Sequence, residues 1–142
     1  MPQEDRGSKA GHAWFLRPAG VSSVRFSHFP NRRTPCACVT VPDGATARTL
    51  AHLVVERRLA AGVNILPGAL SIYRWEGKVR ESRECLLLAQ VSRTAWEDFR
   101  AAVEAAHPYE VPCIVGMPLE KGNAPFLDWI AQNSLPAGQL NE

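Results

Sequence analysis

The chain has 142 residues, of which 46% are apolar and 21% charged, a globular balance that excludes disorder throughout; no apolar run approaches the length of a membrane span. Its formal charge of +2 is unevenly held, because residues 1–35 carry six Lys/Arg against two Asp/Glu while residues 36–142 carry ten against twelve. The part expected to fold therefore lacks the clustered basic face of a nucleic-acid binder.

Residues 1–35 are rich in Gly, Pro and Ser, and Trp14, Phe15, Phe26 and Phe29 follow neither a helical nor a strand period, which predicts a mostly disordered extension. Arg17, Arg25, Arg32 and Arg33 among serines fit an organelle transit peptide, against which Glu4 and Asp5 count, and a mis-assigned start codon is the other reading. The absence of an apolar h-region speaks against a secretory signal. One domain is expected over 36–136, followed by a flexible tail over 137–142.

Cys36-Ala37-Cys38-Val39-Thr40-Val41 is a short apolar run of the length of a buried strand. Pro42-Asp43-Gly44 breaks it, Asp43 is a candidate N-cap, and Leu50, Val54 or Leu53, Arg57/Arg58 and Ala61 predict a helix over about Ala45 to Ala61, stopped by Gly62. A long ribbon follows over Val63 to Gln90. Its first arm is interrupted by Pro67-Gly68, which predicts a bulge, its turn is at Glu76-Gly77 with the turn type open, and its second arm ends near Val91. Ser92 or Thr94 caps a second helix whose buried face is Trp96, Phe99, Ala102/Val103 and Ala106. His107-Pro108-Tyr109-Glu110 forces an extended segment, and Val111 to Met117 reads as a strand with Pro112 at its start. Ala124 to Gln132 predicts a last helix with Phe126, Trp129 and Ile130 inward.

The order β-α-β-β-α-β plus a terminal helix is an α+β, ferredoxin-like sandwich with both helices on one face and a long central hairpin. The other sheet face needs a cover, since Leu86-Leu87-Leu88 makes both faces apolar there, and the hairpin tip with Tyr73 and Trp75 is too slender for one subunit to bury two rings. Both features predict an oligomer. Cys36, Cys38, Cys85 and Cys113 form no Cys-x-x-Cys pair, so neither a disulfide framework nor a structural zinc site is indicated; Cys36 and Cys38 share a strand face, which leaves a soft-metal role open. His52 lies on a polar helix face and reads as solvated.

Thr40-Val41-Pro42-Asp43, Glu56-Arg57-Arg58-Leu59-Ala60-Ala61, Val63-Asn64-Ile65-Leu66-Pro67-Gly68, Ser71-Ile72-Tyr73-Arg74-Trp75-Glu76-Gly77-Lys78 and His107-Pro108-Tyr109-Glu110-Val111-Pro112 occur in order at compatible spacing. Over about residues 36–133 the chain thereby resembles the CutA divalent-cation tolerance family. The resemblance implies a tight homotrimer, similar in architecture to PII signalling proteins, with a role in tolerance or binding of copper(II) or another divalent cation. The chain departs from bacterial relatives at Gly62, where these commonly hold a cysteine, and Val39 stands where some hold another. Cys38 is adjacent but points to the opposite face, so these departures speak against carrying thiol-based copper binding over from the family.

His107, whose imidazole suits Cu(II) and Zn(II), and Glu110 are the candidate metal ligands, with the structural reading that His107 and Pro108 merely end the helix. Tyr73, Trp75, Lys78 and Tyr109 are the candidate lining of clefts between subunits. The expected function is a cytoplasmic, non-enzymatic trimer that binds a metal ion or small effector in such clefts, with an organellar location as the alternative if residues 1–35 are a transit peptide. No nucleophile with a base is offered, and Cys113 among aliphatics should be unreactive. The alternative function is a scaffold for partner proteins that binds no metal itself.

Overall fold

The computed structural model describes residues 34–139. Nearly all of the expected N-terminal extension, including Trp14 and Phe15, and the last residues of the expected tail lie outside the described part.

The elements run β1 (Pro35–Val41), α1 (Gly44–Glu56), β2 (Gly62–Trp75), β3 (Lys78–Gln90), α2 (Trp96–Ala106), β4 (Ile114–Pro118) and α3 (Ala124–Asn133). They form a four-stranded sheet in the order β2-β3-β1-β4 with every neighbouring pair antiparallel. Alternation along the strands divides the sheet. Ala37, Val39 and Val41 of β1 and Cys85, Leu87 and Ala89 of β3 pack against Leu50 and Val54 of α1 and Phe99 and Val103 of α2 to make the core. Their neighbours Cys36, Cys38, Leu86 and Leu88 face the other way and are only half-buried, so this second face of the sheet is open.

Asp43 caps α1, its carboxylate accepting from the Thr46 amide at 2.7 Å. The helix ends at Glu56, not near Ala61. Arg58 takes a left-handed conformation (φ 58°), and the Leu59 and Ala60 amides both bond the Val54 carbonyl. Helical spacing persists through Leu59 and Ala61, but the chain reverses at Arg58 and leaves Gly62 to open β2.

Pro67-Gly68 is a bulge: Leu66 pairs with Leu86 and Ala69 with Glu84, so β2 advances three residues while β3 advances two, and Gly68 sits at φ 80°. The extra residue inverts the alternation of β2. Asn64 and Leu66 lie on the open face before it; Ala69, Ser71, Tyr73 and Trp75 lie there after it. At the tip Glu76 and Gly77 both have positive φ (49° and 76°), the two-residue turn whose twist suits a hairpin.

Neither Ser92 nor Thr94 is the cap of α2: the N-cap position is Ala95, which has no side-chain cap, and the Ser92 hydroxyl accepts from the Ala95 amide in the turn ahead of the helix. Of the expected buried face of α2, Ala106 is exposed. The last strand starts at Ile114, beyond Pro112, because Pro has no amide to give to the ladder. In α3 only Ile130 is fully inward; Phe126 and Trp129 are about 40% exposed and stack on each other with centroids 5.4 Å apart. Ser134, wholly buried, holds the end of α3: its hydroxyl accepts from the Ser92 amide and donates to the Leu59 carbonyl, both at 2.7 Å. No helix among the described residues is long and apolar enough to cross a membrane.

Candidate functional site

The open face carries a polar cluster where β1, β3 and the segment after α2 meet. His107 is 8% exposed and ends α2. Its Nδ1 accepts from the Tyr109 amide at 3.1 Å, which places the ring proton on Nε2, and Nε2 donates to the Thr40 carbonyl at 2.8 Å. The turn at Pro108 that permits this contact also tilts the Tyr109 ring against the imidazole, with centroids 4.8 Å apart. The Tyr109 phenol then donates to Oε2 of Glu84 at 2.8 Å. Glu84 is 2% exposed on a strand otherwise charged toward its tip.

Burial, and then the Glu84 carboxylate as hydrogen-bond partner and as charge, push the Tyr109 phenol well above its ordinary range; Tyr73 and Asp43 add smaller effects of the same sign. Tyr73 and the cap residue Asp43 thus belong to the surroundings of Tyr109. Burial likewise raises the Cys113 thiol, opposed by a hydrogen bond with the Thr40 side chain and reinforced by the Glu84 charge.

From this cluster the hairpin leads outward. Beyond the bulge, Tyr73 is paired with Arg80 and Trp75 with Lys78, all on the face that also bears Glu84. Two half-buried rings and two exposed cations therefore line one side of the ribbon, with a buried carboxylate and phenol at its base. The opposite side carries Leu70, Ile72 and Val79, each more than half exposed and extending beyond the helices that cover the core.

Of the residues expected to line a cleft, Tyr73, Trp75, Lys78 and Tyr109 are brought onto this one continuous face. The metal pair fares differently. Both imidazole nitrogens of His107 are spent on bonds to Thr40 and Tyr109, so coordination requires breaking one of them, and Glu110 is exposed on the segment leading to β4. Among the described residues no three of His, Cys, Asp and Glu are placed to hold a metal ion. Glu84 and Thr40 complete the cluster and were not singled out by sequence, and Cys113, weighed there only as an unreactive thiol, lies beside them; the bulge at Pro67-Gly68, read as an inversion of strand alternation, is the signal that places Glu84 with Tyr73. His52 is exposed and 3.5 Å from Glu56, beside a shallow concavity of about 550 Å³ along the outer side of α1, far in sequence from the cluster.

Comparison with known proteins agrees with this architecture. The family model described as CutA1 divalent ion tolerance protein matches residues 36–133. A divalent-cation tolerance protein CutA of Thermus thermophilus is 49% identical over 96 residues, covering 68% of this chain and 93% of the relative. Protein CutA of Homo sapiens is 41% identical over 116 residues, covering 82% of this chain but 64% of the longer relative. Among solved structures, the divalent cation tolerance protein from Thermus thermophilus superposes with a TM-score of 0.69 at 47% identity over 70% of this chain and 97% of that one. CutA1 from Oryza sativa gives 0.68 at 35% identity, covering 75% and 99%. With the family model matching most of the described residues and relatives well above 30% identical, the chain belongs to the CutA1 divalent ion tolerance protein family.

Proposed function

We propose that this chain is the subunit of a non-enzymatic homotrimer, built like PII signalling proteins, that serves divalent-cation tolerance by binding a small effector or a cation in clefts between subunits. The observation that carries the reading is the hairpin face. Tyr73, Trp75, Lys78 and Arg80 project on a ribbon that one subunit covers on neither side, and the buried Glu84–Tyr109 pair stands at its base. A neighbouring subunit laid against Leu70, Ile72 and Val79 removes that apolar strip from water and turns the other side of the ribbon into the wall of a cleft.

Rings beside two cations favour an aromatic or planar anion. A divalent cation requires donors from two subunits, since His107 is engaged within its own, and Cu(II) is the ion to test first. The site of action is proposed to be the cytoplasm. An organelle is the alternative, favoured by the 38% identity over 122 residues to a CutA protein of Arabidopsis thaliana named as chloroplastic.

Thermal-shift and calorimetric titrations of the full-length protein with Cu(II), Zn(II), benzoate and AMP test the reading. Saturable stabilisation by at least one of them, abolished by Lys78→Gln together with Trp75→Leu, is the expected result. No response to any of the four, or one that survives both substitutions, contradicts it.

A further inference from the structure

On the cleft side of the hairpin the two strands set out a row of side chains. Trp75 is paired directly with Lys78, Tyr73 with Arg80 and Ser71 with Ser82. Both rings and both serines are half-buried, the two cations are exposed, and among the described residues neither cation forms an ion pair. Tyr73 and Trp75 are two residues apart on one strand face, which separates them by about 7 Å along the strand. Strand side chains stand roughly perpendicular to the sheet and carbon atoms pack at about 3.5–4.0 Å, so a slot of that width admits one flat ring in contact with both. Next to the slot comes Arg80, and one step nearer the core the Ser71–Ser82 pair, whose β-carbons are about 4.5–5.5 Å apart as direct cross-strand partners. A planar carboxylate is satisfied by the fork of a single guanidinium. Hydroxyls on both strands beside that guanidinium suit a tetrahedral phosphoryl group, which presents three acceptor oxygens. The buried Glu84, two residues beyond Ser82 on the same face, ends the row with a negative charge and so bounds the anion site on the core side.

We propose that the effector of the cleft is an aromatic phosphate monoester, its ring held between Tyr73 and Trp75 and its phosphoryl group by Arg80, Ser71 and Ser82. This rests on the cleft reading above and adds the class of ligand to it. Lys78, at the outer end of the slot, supplies a second positive charge that draws the anion in. A mononucleotide and a simple aryl phosphate share this chemistry, and binding makes and breaks no covalent bond.

Calorimetric titration of the full-length protein with AMP, phenyl phosphate, adenosine, inorganic phosphate and benzoate tests this. The expected result is that one of the two esters binds at least about tenfold more tightly than adenosine, inorganic phosphate and benzoate, AMP marking a mononucleotide and phenyl phosphate an aryl ester. Arg80→Gln should weaken the tighter ester at least about tenfold and Ser71→Ala with Ser82→Ala about threefold or more. Arg83→Gln, on the opposite side of the ribbon where it pairs with Leu70, should change it by less than about threefold. Circular dichroism and sedimentation check that each variant keeps the fold and assembly of the parent; if Arg80→Gln does not, the serine pair decides. Equal losses in Arg80→Gln and Arg83→Gln, or no loss in the folded variants of the row, overturn the proposal. Benzoate, adenosine, Cu(II) or Zn(II) bound at least as tightly as either ester, and lost on Lys78→Gln with Trp75→Leu, overturns this inference alone, whereas no response to any probe overturns the cleft reading with it.

Discussion

The Tyr109 phenol donates a 2.8 Å hydrogen bond to Glu84, a carboxylate 25 residues away in sequence and 2% exposed. It ties the segment after α2 to the strand that leads to the hairpin tip. A hydrogen bond to a buried charged group is worth about 1.5–3 kcal/mol, so Tyr109→Phe should lower stability by that amount. Denaturant unfolding at fixed protein concentration measures it. Tyr109→Phe in a Glu84→Gln background should cost distinctly less, and equal costs in the two backgrounds would show that the two residues are uncoupled.

Trp75 stands opposite Lys78 at the last pair of the hairpin and is half-buried within its own subunit. In the proposed trimer a neighbour would complete its burial, and truncation of a buried aromatic costs about 3–5 kcal/mol. Trp75→Ala should therefore lower the melting temperature sharply, whereas Trp14→Ala, outside the described residues, should leave it unchanged. Equal melting curves for Trp75→Ala and the parent would place the tip in solvent.

Residues 1–33 should be dispensable for folding, since they follow no structural period and carry basic charge that the core does not use. Thr34 must be kept, because its carbonyl accepts from the Leu119 amide at 3.0 Å beside the start of β1. A chain beginning at Thr34 should unfold cooperatively at the melting temperature of the parent. Loss of cooperativity would show that Trp14 or Phe15 packs on the domain.

Alkaline pH should destabilise the fold. Cys36, Cys38 and Cys113 are held above their ordinary value of 9.0, and Tyr109 above 10.0, by burial first of all. In the unfolded chain these groups ionise at their ordinary values, so the native state holds more protons above them. Their contribution is fully present below pH 9 and is lost as pH rises through the native values. Melting temperatures should be flat across neutral pH and fall beyond about pH 9. Tyr109→Phe removes the later part of that fall, and an identical alkaline profile in this variant would contradict the assignment.

Much of the architecture is legible from local rules. Gly77 marks the hairpin turn because a two-residue turn needs positive φ, and Pro67-Gly68 marks the bulge because Pro cannot serve the ladder. The end of α1 is not legible: Leu59 and Ala61 continue the helical spacing, and the reversal occurs at Arg58, a residue with no preference for the left-handed region. Trp129 continues the inward stripe of α3 by pattern but lies over Gly62, where an added β-carbon would meet its ring at 3.1 Å, and so stays partly exposed. At the site, Tyr109 and His107 are conspicuous by type. Glu84 is hidden among Glu81, Arg83 and the lysine and arginines of the tip, because its burial depends on strand pairing across the bulge and not on its neighbours in sequence.

The mass of the assembled protein tests the central claim most directly, because the cleft exists only if a neighbour supplies its other wall. Sedimentation velocity of the full-length chain at micromolar concentration should show one species of three times the 15.6 kDa subunit mass, persisting on dilution. A species at the mass of a single subunit would contradict the account, since Leu70, Ile72, Val79 and the rings of Tyr73 and Trp75 would then have no partner to cover them.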